Sequence, residues 1–173
     1  KLLAKYSKGL IATTTCVISN MARYFQNKEV DKMTGFFNDL AGIFGPDSLF
    51  IEMHPHDLDM QLEYNQVLIE MFRKEYEGFR CVLANDVHYV LKEHHETHNF
   101  LWRLNTDGRI DEAGVDSIYM ASEDEMREMW HKNGHADIIG EEYLEEAIES
   151  TKVIANRCNA RLDVETLKEP KFT

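Results

Sequence analysis

Cys81-Val82-Leu83-Ala84-Asn85-Asp86-Val87-His88-Tyr89 reads as a buried strand that runs out into polar residues. Side chains alternate along a strand, so Asp86 and His88 fall on one side of it. Carboxylate oxygen and imidazole nitrogen are ordinary ligands for zinc, manganese or iron. A second reading fits the pair equally well: Asp86 caps the following turn and His88 is a polar residue satisfied by its surroundings.

Upstream, two more segments have strand character. Residues 9–15, Gly-Leu-Ile-Ala-Thr-Thr-Thr, form a β-branched run that ends at Cys16, and residues 48–54 form a second run carrying Glu52 and His54 at its end. Helical segments separate the three. Residues 21–26 and 30–44 come first, the latter with Val30, Met33, Phe36, Phe37, Leu40, Ile43 and Phe44 on one apolar face, stopped by Gly45-Pro46-Asp47. Residues 60–76 follow, with Asp59 as the expected cap, Leu62, Val67, Leu68, Met71 and Phe72 as the inward stripe, and Gly78 as the stop.

Strand, helix, strand, helix, strand implies parallel strands joined by crossover helices, an α/β unit. In such sheets functional residues gather at the C-terminal ends of strands, where Cys16, Glu52, His54, Asp86 and His88 fall. Cys16 by itself reads more readily as a small buried hydrophobe, and its position at a strand end is what makes it a ligand candidate. His54 and His56 read as solvated loop histidines, bystanders to any site. Three parallel strands have two open edges, so partner strands are expected outside this sequence.

Downstream, residues 93–104 read as a helix with His94 and His98 on one face. The string His95-Glu96-Thr97-His98 misses the zinc-protease spacing by one residue, which excludes that activity. Residues 105–108 make a turn, and residues 118–120 a short extended piece. Ser122-Glu123-Asp124-Glu125 is a capping box opening a helix to about residue 132. Residues 141–159 form the last helix, with Leu144, Ala147, Ile148, Thr151, Ile154 and Ala155 inward. Residues 1–162 thus read as one unit, and 163–173 as an outgoing linker. At the other end, residues 1–7 read as the end of a helix already under way, which points to an excised fragment.

The 173 residues are 43% hydrophobic and 29% charged, enough for one globular core. A net charge of −12 argues against a main role in holding nucleic-acid backbone, which needs clustered Lys and Arg. Cys16, Cys81 and Cys158 are odd in number and far apart, which fits reduced thiols in a cytoplasm. No membrane span is visible.

Residues 83–89, Leu-Ala-Asn-Asp-Val-His-Tyr, resemble the "ATNDVHY" segment of the PHP (polymerase and histidinol phosphatase) domain of bacterial DNA polymerase III alpha subunits. Residues 3–12 resemble the same family's helix end followed by "GLIA", and Cys16 falls where the family places a cysteine ligand. His98, residues 119–126 and residues 146–159 follow its "AH", "FYLKSPEEM" and "ALENTLEIAERCN" in order. Ala121 replaces the lysine of "YLKS", and residues 104–108 depart from "IQTGK". The resemblance is therefore to a divergent member, bacterial or phage.

The resemblance implies the C-terminal half of a PHP domain, a distorted β/α barrel with parallel strands and a helical C-terminal part, running toward the polymerase palm. It implies Cys16, Asp86 and His88 as part of a zinc or manganese site for hydrolysis of a DNA 3′ end. The remaining ligands, like the nucleotidyl-transfer carboxylates, belong to other parts of the family's chain. The implied partners are the rest of the polymerase chain, DNA through the intact polymerase, and other replisome subunits. Where the family's metal cluster is incomplete, the implied role is a non-catalytic scaffold.

Overall fold

The three expected strands lie side by side and all parallel, in the order β1-β2-β3. A computed structural model of the chain describes residues 1–108 and 115–161. The strands are β1 (Ala12–Thr13), β2 (Leu49–Met53) and β3 (Arg80–Leu83), registered Thr13 to Phe50 and Met53 to Leu83. β1 is far shorter than residues 9–15, because Gly9 and Thr15 both take positive φ and bend the chain away on either side. Thr14 still adds one rung: its N–H donates to Phe50 O at 3.1 Å, and its hydroxyl accepts the Glu52 N–H at 3.0 Å.

Helices fill the connections. α1 (Leu2–Tyr6) precedes β1; α2 (Asn20–Gln26) and α3 (Val30–Phe44) link β1 to β2; α4 (Asp59–Leu68) links β2 to β3. α3 ends as expected at Gly45, whose φ of 68° only glycine adopts readily. α4 differs from expectation at both ends. Its N-cap is Leu58 with no side-chain cap, and Asp59 sits in the first turn. At its C-terminus it widens into a π-turn over Ile69–Arg73.

The buried face of this helix is Gln61, Tyr64, Asn65, Leu68, Ile69 and Phe72, a regular 3-4 spacing that includes two amides. Leu62, Val67 and Met71, expected inside, are only partly buried against the core. On the sheet, Leu49, Ile51 and Met53 face that core together with Cys81 and Leu83. Phe37 stacks on Phe72 at 4.4 Å between ring centres.

After β3 come α5 (His95–Asn105), α6 (Glu123–Lys132), α7 (His135–Ile138) and α8 (Glu141–Arg157). The Ser122 capping box forms as read: the Glu125 N–H donates to Ser122 Oγ, and the Ser122 N–H donates to Glu125 Oε2 at 2.8 Å. Residues 118–120 are extended, with a parallel bridge from Tyr119 to Tyr89. α8 buries Leu144, Ala147, Ile148 and Ser150, while Ala155, expected inward, is exposed.

α8 also modifies the expectation of open sheet edges. It packs along β3, and Glu146 accepts the outward Cys81 N–H at 2.8 Å while holding Arg73 through three bonds of 2.8, 3.1 and 2.6 Å. A helix carboxylate thereby satisfies a strand donor that another strand would otherwise take. Burial alone would push the Glu146 carboxyl up, but Arg73 and the Cys81 N–H bring it below its usual value. The linker expected at 163–173 lies outside the described residues. Among the described residues no helix is long and apolar enough to cross a membrane.

Candidate functional site

β3 ends at Leu83, so strand alternation does not set the orientation of Asp86 and His88. A turn does. Asp86 takes a left-handed φ of 45°, and beyond it the His88 N–H donates to Ile118 O at 2.8 Å. This brings Asp86 Oδ1 and His88 Nε2 to 3.4 Å, with both side chains 40% exposed. A bound species can therefore reach both groups from solvent.

Cys16 follows the short β1 and is partly buried. Burial pushes its thiol pKa up, the Ile18 N–H draws it down, and the negative charges of Asp86 and Glu52 push it up again, leaving it raised. The carboxylates after β3 and in β2 thus act on the thiol after β1, across the C-terminal ends of neighbouring strands. Thiolate, carboxylate and imidazole are a donor set suited by type to a zinc-like or manganese-like ion. Asp86 and His88 are the two that stand together. Among the described residues no group of three His, Cys, Asp or Glu is arranged to hold an ion.

Behind this edge, His54 and His56 correct the sequence expectation: both are buried, not solvated. His54 Nε2 meets Glu52 Oε1 at 2.7 Å. Burial raises the Glu52 carboxyl, but hydrogen bonds from His54 and the Thr13–Thr15 segment lower it below the usual range. His56 Nε2 faces two oxygens, Asn85 Oδ1 at 3.2 Å and Asn85 O at 3.3 Å, so it is the protonated nitrogen of that ring. The Pro55 turn folds these histidines beneath the sheet edge, where Asn133 Nδ2 donates to Pro55 O at 2.8 Å.

Three residues of this cluster are not singled out by the sequence as site residues. His135, fully buried on α7, stacks on Trp130 and donates from Nε2 to His56 O at 3.3 Å. Asn65 donates to His54 O at 2.7 Å and lies 3.4 Å from His135 Nδ1. Asn85 donates to Ser117 O at 2.6 Å and Tyr119 O at 2.7 Å. Polar residues in an apolar helical register, as Gln61 and Asn65 are, were the available clue; His135 and Asn85 offered none.

On the other side of His88 stands α5. His98 sets its ring edge-on to His88 at 5.6 Å and lies 5.1 Å from Tyr89. Burial, then His88 and His95, hold the His98 pKa below its usual value. Tyr89 donates to Asp116 O at 2.7 Å and touches His95 Nδ1 at 3.1 Å. His94 stands apart from this face, exposed in the single 3-10 turn before α5.

No family model matches the chain. It is similar to DNA polymerase III subunit alpha of Saccharopolyspora erythraea, 29% identical over 181 positions that cover all of this chain and 14% of that protein. The same subunit of Thermus aquaticus is 30% identical over 169 positions, covering 95% of this chain and 13% of that protein. That of Treponema pallidum is 25% identical over 167 positions. Over nearly its whole length, then, the chain is homologous to a segment of DNA polymerase III subunit alpha, and it spans only 13–14% of the length of those relatives.

Proposed function

We propose that this chain is a working segment of a DNA polymerase III alpha subunit, part of the PHP domain of a DNA-directed DNA polymerase that replicates DNA. The observation that carries the reading is the collinear similarity to that one subunit across nearly all of the chain. Within the segment, Cys16, Asp86 and His88 contribute part of a divalent metal site, zinc or manganese. The facing of Asp86 and His88 at 3.4 Å supports this. A metal bound there supplies charge neutralisation at a phosphoester and an activated water for 3′-end hydrolysis. The chain's own residues orient: Asp86 and His88 present two open donors, and Cys16 adds a thiol whose proton is held first by burial and then by the charge of Asp86 and Glu52. The rest of the polymerase chain supplies the remaining ligands and the DNA contacts, and the cytoplasm is where it works.

A non-catalytic scaffold that binds other replisome subunits is the second reading. It is favoured by α5, where Phe100, Leu101 and Leu104 point outward without burial.

In the full polymerase chain, Asp86→Ala and His88→Ala are each expected to lower 3′-end hydrolysis of a labelled single strand at least tenfold in manganese, with nucleotide incorporation retained. The roughly 10–100-fold loss typical when metal-site groups are disturbed sets that scale. Unchanged hydrolysis in both variants refutes the metal reading and leaves the scaffold. The present chain alone is expected to digest the strand poorly, because a two-metal cluster with ions about 3.5–4 Å apart needs more donors than these three.

A further inference from the structure

His56 and Asn85 stand outside the proposed ligand set, yet their bonds meet at the turn that carries it. Asn85 is 7% and His56 4% exposed. The Asn85 amide donates both its hydrogens, to Ser117 O at 2.6 Å and Tyr119 O at 2.7 Å, and its oxygen accepts from His56 Nε2 at 3.2 Å. That uses the side chain on two separate segments, the exit of β2 and the extended piece at 117–119. On either side of it the backbone is fixed as well, by Ala84 N–H to Met53 O at 3.0 Å and His88 N–H to Ile118 O at 2.8 Å. Between those anchors sits Asp86 in a left-handed conformation, uncommon outside glycine though more accessible to aspartate than to most residues.

We infer that Asn85, braced by buried His56, is the positioning residue that holds Asp86 and His88 facing each other. Asn85 reaches neither donor atom with its side chain; it acts by fixing the turn. An aspartate in its place would set an oxygen against the two carbonyls that now accept, and an alanine would remove the side-chain link to Ser117 O and Tyr119 O and leave His56 Nε2 only the backbone oxygen of residue 85, at 3.3 Å. The inference rests on Asp86 and His88 being ligands only for its metal readout, because the geometry of the turn can be measured without an ion.

The test uses this chain labelled with ¹⁵N, Asn85→Ala and His56→Phe variants, and Mn²⁺ as the probe. His56→Phe removes the brace while keeping an aromatic ring in the site, so it decides the question if Asn85→Ala does not fold. Amide exchange at His88 and at Met120, whose N–H donates to Tyr89 O at 3.1 Å, is expected to quicken at least about tenfold in both variants, the scale of one to two net hydrogen bonds. The Thr14 and Ala84 amides of the sheet should stay as protected as in the parent. The His88 imidazole nitrogen shifts, which report its contact with Asp86, should move toward those of a free side chain. Mn²⁺ affinity, read from line broadening at His88, should fall about 10–100-fold. Unchanged protection at His88 and Met120 overturns the inference, as does equal acceleration of the sheet amides, which would mark a general loss of stability. If the parent chain shows no broadening at His88 at all, its donors do not hold Mn²⁺ without the ligands supplied by the rest of the polymerase chain, and the exchange and imidazole shifts alone judge the clamp.

Discussion

The histidines beneath β2 and the histidine beside Asp86 are the same residue in opposite circumstances. His54, His56 and His135 are enclosed, and fixed oxygens face a ring nitrogen in each. His88 is 40% exposed, and Asp86 faces it at 3.4 Å. For His56 and His135 burial disfavours the charged ring, and the ring N–H is spent on a fixed oxygen, which makes these two imidazoles structural. An imidazole at an open edge keeps a nitrogen free for a ligand. Sequence proximity does not predict which fate applies: His54 and His56 lie at a strand end just as His88 follows one, and the difference is the α6–α7 layer that closes over the first pair.

If that contrast is right, the largest asymmetry is in stability. Trp130 is fully buried and stacks on His135 at 4.8 Å. Trp130→Ala should cost about 3–5 kcal/mol, the range for deleting a large buried aromatic. His88→Ala should stay within about 0.5 kcal/mol, as for a surface residue. Urea unfolding of both variants compares them directly. A cost above about 2 kcal/mol for His88, or a small one for Trp130, would reverse the assignment of the two regions.

Acid should expose the same contrast with a somewhat smaller effect. Burial, then neighbouring His54, lowers the His56 pKa from the ordinary 6.5 to about 4, against the pull of its Asn85 bonds. The unfolded chain therefore takes up this proton first as pH falls. His56's contribution is fully present above about pH 6.5 and is lost progressively down to about pH 4, amounting to about 2–4 kcal/mol at 1.36 kcal/mol per unit. His135, lowered by burial, adds in the same direction. Glu52, a carboxyl lowered below 4.5, contributes its own loss at more acidic pH. Unfolding free energies between pH 7.5 and 4 should fall along this course, and His56→Phe should flatten the slope. An equally steep slope in that variant would place the responsible groups elsewhere.

The parts of the fold legible in sequence are those where one physical signal dominates. The apolar stripe and Gly45 define α3 to the residue, Ser122 and Glu125 announce α6, and the alternation of apolar strands with helices yields the parallel sheet. Legibility fails where a polar residue takes an interior position for its hydrogen bonds. Gln61 and Asn65 occupy the inward register of α4, so an apolar stripe drawn through Leu62 and Val67 is rotated from the true one. His135 enters the core by stacking on Trp130, 5 residues before it in sequence, and by bonds to His56 and Asn65, far off in sequence. Of the site, Asp86 and His88 were read as neighbours for a reason the structure replaces: a left-handed turn, not strand alternation, faces them together.

The smallest expected effect belongs to α5, the helix that borders His88. Its inward positions are His95, His98, Asn99 and Trp102, while Phe100 and Leu104 are 61% and 60% exposed. This inverts the usual amphipathic arrangement, in which the apolar stripe faces the core. Apolar groups already in water lose no burial when they are removed, so Phe100→Ser and Leu104→Ser should each change unfolding free energy by less than about 0.5 kcal/mol. Serine's lower helix propensity than leucine's accounts for a few tenths of that. In the full polymerase chain the outcome separates the two functional readings. A scaffold that docks a partner through this face should lose association in both variants while the isolated chain stays equally stable. Retained association would free the face from that role. A loss above about 1.5 kcal/mol in the isolated chain would mean instead that the face is packed, and that His88 is less open than its exposure indicates.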